Sequence, residues 1–392
     1  MIPIATWMVL KRLRRKGFEA YLVGGCVRDL LSKRIPKDFD VITTAQLKQI
    51  HQIFHRSNIV GHRFPICLVN VRGSLVEVSS FDTAAKHGKQ NDSNHLPTLL
   101  GDFDKKDFVR WRNSMDRDFT INSLFFDPFV DKIYDYNNGI RDLRLRKVKT
   151  VSPAQSSFEE DCARILRGLR IAARLGLTFS KETAAAIQNL YLSIMDLSKN
   201  RLMMELNYML SYGAAESSIR LLKRYKVLDI LLPVHAAYLN QQIHRESTQS
   251  SYMLLKLFSC VDKLLACDRP SHCSLWVGLL AFHLALVNKP QDALVVWAFS
   301  SVLYHGKWNK AVEFARKQAD MPVKFSPEIL EGSLTISDND LAEEVTCFVS
   351  HVVSSISSLT KEESLLESMN KYFALPMSGC GTCIQRGGSD CC

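Results

Sequence analysis

Asp38 and Asp40 are two carboxylates separated by one residue, Phe39. On a strand, residues i and i+2 point to the same face. The spacing therefore predicts two carboxylates side by side at the start of a strand, Phe39 to Thr43, with Phe39 turned away. Such a pair repels itself unless a cation lies between its members, and hard oxygen donors suit Mg2+. Two Mg2+ ions held this way can clamp the attacking and leaving oxygens of a phosphoryl transfer. Upstream, Gly24-Gly25 lies between a short apolar strand, Ala20 to Val23, and a helix over Val27 to Leu31. Glycines there let the backbone approach a phosphate, and a helix start favours anions. Each feature alone is weak, because Asp-x-Asp pairs and Gly-Gly turns are common on surfaces. Together, at this spacing, they point to metal-dependent chemistry on phosphates.

The elements that position these residues occupy the first 150 residues, where strands and helices mix. A helix is expected over Met1 to Lys16 and another over Leu47 to Phe54. Ile66 to Val71 and Leu75 to Phe81 read as a hairpin turned at Arg72-Gly73-Ser74. Thr83 to Lys106 is polar and without periodicity, so it reads as a long loop. Regular structure resumes at Phe119 to Phe126 and Lys132 to Asp135, with a last short strand at Lys147 to Val151. After Pro153 helix-period patterns follow one another, starting with Phe158 to Leu175, and Ser180, Ser198 and Ser337 stand as N-caps. The expected fold is α+β: a mixed α/β head with a small sheet at 1–152, then an all-helical neck at 153–225 and body at 226–376. A Cys-rich segment at 377–392 reads as a disordered tail, with a four-thiolate zinc site as its alternative. Glu77, on the strand Val76-Glu77-Val78, is either a third carboxylate beside the pair or an exposed edge-strand acid.

The glycine turn and acidic pair, Val23-Gly24-Gly25-Cys26-Val27-Arg28-Asp29 and Lys37-Asp38-Phe39-Asp40-Val41, resemble the head signature of the DNA polymerase β-like nucleotidyltransferases. More narrowly they resemble the class II branch, which holds tRNA CCA-adding enzymes and bacterial-type poly(A) polymerases. The similarity runs in order from about Ala20 to about Leu206. The second motif is Arg117-Asp118-Phe119-Thr120-Ile121-Asn122-Ser123, with Asp116 where a first arginine is usual and Ser123 in place of alanine. The resemblance implies that Arg117, Asp118 and Asn122 touch the ribose and triphosphate of a nucleotide, and that Gly24, Gly25 and Arg28 hold the triphosphate. Gly139-Ile140-Arg141-Asp142-Leu143 resembles the third motif, which links head to neck. Glu160-Asp161-Cys162-Ala163-Arg164 through Arg170 resembles the fourth, which reads the base. Asp161 and Arg164, expected one turn apart on a helix, would accept from and donate to a base edge. Arg167 and Arg170 would contact phosphates or RNA. Read without the upstream motifs, this helix is laced with ion pairs such as Glu160 with Arg164. Ser198-Lys199-Asn200-Arg201 with Glu205-Leu206 resembles the fifth motif.

The family implies transfer of AMP from ATP to RNA 3′ ends, of mRNA, tRNA or other RNA, with Asp38 and Asp40 binding two Mg2+. The alternatives are CCA addition to tRNA, which would also use CTP, and a catalytically silent RNA-binding relative. Ile59-Val60-Gly61-His62-Arg63-Phe64 fits the poly(A) polymerase pattern in part, and no Gly-Thr step of the CCA-adding kind is present. Adenylate addition is therefore the preferred expectation.

Composition agrees with a polyanionic partner. The formal net charge is +10 and the pI is near 9.0. At 392 residues, 46% hydrophobic and 23% charged, the chain reads as a multidomain globular protein. No stretch reaches the roughly 18 apolar residues of a membrane span. Leu275 to Val287 reads as a buried helix instead, and no membrane partner is expected. The apolar Ile2 to Leu10 precedes the basic Lys11 to Lys16, the reverse of a secretory signal, and no targeting peptide is visible. Scattered cysteines among the 11 suit reduced thiols and an intracellular setting. A plastid or mitochondrion is added by analogy with the bacterial-type relatives, beside nucleus or cytoplasm.

Overall fold

The computed structural model describes residues 2–61, 65–85, 105–243, 252–266, 269–318, 321–323, 325, 327–331 and 336–361. The head opens with α1 (Ile4–Arg15), β1 (Ala20–Val23), α2 (Gly25–Leu31), β2 (Val41–Thr43) and α3 (Leu47–Ile53). It continues with β3 (Ser57–Val60), β4 (Ile66–Val71), β5 (Ser74–Ser80), α4 (Phe81–Ala85), α5 (Lys105–Met115), β6 (Phe125–Asp127) and β7 (Lys132–Tyr134). The strands form one sheet in the order β3-β4-β5-β2-β1-β6-β7. β2 and β5 run parallel, and the other neighbours are antiparallel.

Strand β1 is buried on both faces. Ala20 and Leu22 face a core built with Val9, Leu10 and Leu13 of α1, Val41, Val69 and Val78. Tyr21 and Val23 face a second, aromatic core with Ile42, Phe81 and Phe125. The period of two thus serves two layers at once. The expected hairpin is present, with Val71 opposite Ser74. Arg72 (φ 53°) and Gly73 (φ 82°) are both left-handed, the pattern that a two-residue type I′ turn demands.

Three elements differ from expectation. β2 begins at Val41, so Asp38 and Asp40 lie on the lead-in to the strand and not within it. Asp40 is still tied to the sheet, because its carbonyl accepts from the Val23 amide at 3.1 Å. β3 went unrecognised because it is an edge strand whose Asn58, Ile59 and Val60 are all exposed, with no alternation to read. α5 went unrecognised because its buried face is polar: Arg110, Asn113 and Ser114.

Beyond the sheet follow α6 (Gly139–Arg144), β8 (Lys147–Val148), α7 (Ala154–Glu160), α8 (Ala163–Leu175), β9 (Thr178–Phe179), α9 (Lys181–Leu190) and α10 (Lys199–Leu210). The helix expected over Phe158 to Leu175 is therefore two helices with a break at Asp161-Cys162. Glycine sets two close approaches. A Cβ on Gly139 would meet the Thr120 carbonyl oxygen at 2.2 Å, and one on Gly168 would meet the Phe119 ring at 2.9 Å. α6 and α8 thereby pack directly on the 119–120 backbone and ring.

Two compact units emerge: Met1–Glu205 with Ala266–Arg269, and Leu206–Leu265 with Pro270–Cys392. The expected neck, 153–225, straddles this division. Helices of the second unit include Ala215–Arg224, Pro233–Ile243, Cys273–Asn288, Ala293–His305 and Asp338–Thr360. Ser180, Ser198 and Ser337 do accept from backbone amides of the first helical turn. Among the described residues no helix is long and apolar enough to cross a membrane. The described cysteines Cys26, Cys67, Cys162, Cys260, Cys273 and Cys347 are free thiols. The 377–392 segment lies outside the described residues.

The second unit buries two histidines. His235 Nε2 lies 3.1 Å from the Leu280 carbonyl, and the His283 ring sits 5.5 Å from the His235 ring and 4.5 Å from that of Tyr238. Burial pushes His235 from its ordinary 6.5 down to about 4, and burial with the neighbouring His235 pushes His283 well below its ordinary range. Both are thus neutral in the folded state while the unfolded chain protonates them. The sign follows: their contribution to stability is full above about pH 6.5 and is lost as pH falls toward about 4. Thermal denaturation at intervals across that range should show a falling midpoint, with a flatter profile for His283→Phe. A midpoint independent of pH across this window contradicts buried neutral histidines.

Candidate active site

Gly24 adopts φ 76°, ψ −130°, and its amide donates to the Leu124 carbonyl at 3.1 Å. A Cβ there would be 3.7 Å from the Asn122 carbonyl oxygen and 3.8 Å from Arg117 Nη1, so it is the backbone angle, not crowding, that requires glycine. Gly25 begins α2. Asp38 is 62% exposed and stands 3.4 Å from Lys37 Nζ. Asp40 is partly buried. The parallel register of Val41 with Val78 sets Glu77 beside Asp40 along the neighbouring strand.

Asp40 and Glu77 both feel neighbouring acid charge. Burial raises the Asp40 pKa first, and repulsion from Glu77 and then Asp38 adds to it against Arg117 and Lys37, leaving it at about 6. Burial and then Asp38 also raise Glu77. The donor set is carboxylate oxygen throughout, the chemistry that suits a hard divalent cation. Among the described residues no three acidic, histidine or cysteine side chains are grouped closely enough to hold a metal ion.

Behind this pair runs a chain of charged hydrogen bonds. Asp118 accepts from the Phe119 amide at 2.7 Å, Asn122 Nδ2 at 3.1 Å and Arg167 Nη1 at 2.9 Å. Asn122 Oδ1 accepts from Arg28 Nη1 at 2.6 Å. Arg28 Nε and Nη2 both reach Asp29 Oδ1, and Arg174 Nη2 donates to Asp29 Oδ2 at 3.2 Å. Burial pushes the Asp118 pKa up, but the Arg167 charge and these donors outweigh it and hold the carboxyl below its ordinary value. Arg117 donates to Asn113 Oδ1 at 3.2 Å, and among the charges that act on it are Asp118, Asp40 and Asp116.

The geometry gives each expected site residue its internal partners. Arg28 is 6% exposed, and its guanidinium bonds to Asp29 and Asn122 and lies against Gly25, so it frames the glycine turn. Arg167 is engaged by Asp118, and Arg170 pairs with the buried Glu205 at 3.1 Å; both serve internal ion pairs. Asp161 and Arg164 are not one turn apart on a single helix. Asp161 is the extended residue that ends α7 (φ −147°), and its carboxylate accepts from the Ala163 amide at 3.1 Å. Arg164, in the first turn of α8, gives Nη1 to Glu160 and to the Ser157 hydroxyl and carbonyl. The expected ion pair of Glu160 with Arg164 is therefore present. Asp116 lies where Arg112, Arg117, Glu160 and Arg164 all act on its charge. Asp29 and Arg174, outside the expected site, complete the network. Asp29 looks like any helix acid in sequence, and only its burial distinguishes it. The discriminating residues 62–64 lie outside the described residues.

Comparison with known proteins places the head among characterised domains. Residues 20–149 match the poly(A) polymerase head domain, and residues 176–239 match the probable RNA- and SrmB-binding site of polymerase A. Residues 20–149 thus form a head domain of the poly(A) polymerase kind. The chain is 32% identical to poly(A) polymerase I of Haemophilus influenzae over 262 residues, 66% of this chain and 57% of that protein. It is 26% identical to the CCA-adding enzyme of Staphylococcus epidermidis over 287 residues, 72% of this chain and 62% of that protein. The chain thus matches somewhat more than half the length of these relatives. In fold it is similar to the Bacillus stearothermophilus CCA-adding enzyme solved with CTP, with a TM-score of 0.50 and 20% identity over 96% of this chain and 84% of that one.

The repulsion within the acidic site has a measurable consequence. The folded-state pKa of Asp40 lies above its ordinary 3.8, at about 6. Its contribution to stability is therefore full below about 3.8 and is lost as pH rises through about 6. In chelator at about pH 7.5, Asp40→Asn should melt higher than the parent, by about 2–4 °C for each kcal/mol of charge burial and repulsion relieved. Added Mg2+ should raise the parent's midpoint and leave the variant's unchanged. A variant that melts lower than the parent in chelator contradicts the repulsion.

Proposed function

We propose that this chain is a template-independent RNA nucleotidyltransferase that adds AMP from ATP to RNA 3′ ends. The observation that carries the reading is the acidic pair, Asp38 and Asp40, set beside a left-handed glycine turn and Arg117 in a poly(A) polymerase head. Adenylate addition is supported by poly(A) polymerase I relatives that are 32% identical over 59–66% of the chain, a longer stretch than the 46–50% over which CCA-adding relatives reach 34–35%. CCA addition to tRNA is the second reading, favoured by the CCA-adding relatives.

In the reaction an RNA 3′ hydroxyl attacks the α-phosphate of ATP, and pyrophosphate leaves. Gly24 and Gly25 present backbone to the triphosphate. Arg117 supplies positive charge beside Asp40, and the Asp118–Asn122 segment faces the ribose. Arg28 and Arg167 act by holding these groups in place. Asp38 and Asp40, with Glu77 alongside, would hold Mg2+, which when bound supplies charge stabilisation to the reacting phosphate oxygens. Arg164 uses Nη1 for Glu160 and Ser157. This leaves Nε and Nη2, among the described residues, for a base edge, with Asp161 two residues before the start of the same helix. RNA is bound through the basic excess of the chain, so affinity falls as salt rises.

Labelled ATP or CTP, offered with an oligo(A) primer and with a tRNA lacking its terminal CCA, tests the reading. Long A tails on the first primer are the expected result, and Asp38→Ala and Asp40→Ala should each lower incorporation by on the order of 10²–10³-fold. Addition that stops after C, C and A supports the second reading. Absence of incorporation, or incorporation indifferent to both substitutions, overturns the proposal.

A further inference from the structure

Helix α5 buries Arg110, Asn113 and Ser114. The spacing of three and four puts all three on one face. A helix docked through an apolar face can shift along its axis at small cost. One docked through directional polar contacts cannot, because each displaced donor leaves a buried group unsatisfied.

Arg110 is the centre of this face and is 5% exposed. Its Nη1 donates to the Tyr21 hydroxyl at 2.7 Å, Nε donates to the Tyr136 hydroxyl at 3.0 Å, and Nη2 donates to Asp107. The guanidinium also lies over the Tyr134 ring at 4.0 Å and the Tyr21 ring at 5.2 Å. The Tyr136 hydroxyl closes the circuit by donating to Asp107 at 2.8 Å. Further along, Asn137 Nδ2 donates to the Ser114 hydroxyl at 3.1 Å. One tyrosine comes from β1, the strand that runs into Gly24. The other two come from β7 and the residues after it.

The same helix leads to the site. The Arg117 amide donates to the Ser114 carbonyl at 3.3 Å, and Arg117 Nη2 donates to Asn113 at 3.2 Å. Any displacement of α5 therefore moves Arg117 relative to Asp40.

We propose that Arg110 is a positioning residue, clamped among Tyr21, Tyr134, Tyr136 and Asp107 so that α5 holds Arg117 beside the acidic pair. The planar fork is essential to the clamp. A lysine carries the charge but cannot serve three acceptors in one plane while stacking on a ring. The catalytic consequence rests on the phosphoryl-transfer reading above; the clamp itself does not.

Two measurements on the full chain test this, using Arg110→Lys and Arg110→Met. Hydrogen exchange across 105–118, and at the Arg117 amide in particular, should accelerate in both variants, while exchange across 338–360 stays as in the parent. kcat/KM for ATP should fall by about 10- to 100-fold. Combining either substitution with Arg117→Met should cost no more than Arg117→Met alone, because the clamp acts through that residue. Fully additive losses, or unchanged exchange over 105–118, overturn the proposal. If the Arg110 variants do not fold, Tyr136→Phe, which removes one hydroxyl from the clamp, gives the same pair of measurements with smaller effects. If the parent incorporates no nucleotide, the functional reading has failed on its own, and exchange at Arg117 still decides whether the clamp holds that residue.

Discussion

Asp118 and Asp29 are carboxylates with almost no access to water, and a buried carboxylate persists in charged form only where cations and donors surround it. Arg167 and Asn122 satisfy the first, and Arg28 and Arg174 satisfy the second. Asn122 bonds to both Asp118 and Arg28, so the two clusters are one. This single network joins α2, the 118–122 turn and α8, three segments far apart in sequence. Removing one partner from a fully buried pair costs about 3–5 kcal/mol. The cost here is smaller, since Arg167 is 28% exposed. It is still enough to fix the relative placement of the glycine turn and the segment beside the acidic pair. Apolar packing agrees with it: Phe119 lies against Gly168, where no side chain intervenes.

Against that satisfied frame the acidic site stands out as unsatisfied. Glu77 and Asp38 both repel Asp40, and Arg117 and Lys37 oppose them in part. A protein built for stability alone would neutralise such a site, as it neutralises Asp29 and Asp118. Leaving it uncompensated is the arrangement expected of a position filled by a cation in use.

The acidic pair, the Gly-Gly turn and the order of motifs were legible in sequence because each rests on local spacing. So were β1, the hairpin β4–β5 and the serine caps, whose signals are periodicity and turn chemistry. The roles of the arginines were not legible. Arg28, Arg167 and Arg170 look alike in sequence, as cations near a polyanion site, and only tertiary contact shows that Asn122, Asp118 and Glu205 claim them. The break at Asp161 was missed for a related reason. The 158–175 pattern keeps a helical period through it, and the interruption is visible only in the Asp161 backbone angles. Helix α5 escaped because a buried polar face carries no hydrophobic period.

The account stands or falls on where a divalent cation and a triphosphate bind. Crystals grown with Mn2+ and a non-hydrolysable ATP analogue, and measured for anomalous scattering from manganese, test it directly. The account predicts manganese against the carboxylates of Asp38 and Asp40, with the triphosphate along the Gly24-Gly25 backbone and toward Arg117. Manganese bound elsewhere, or a triphosphate held away from the glycine turn, contradicts it.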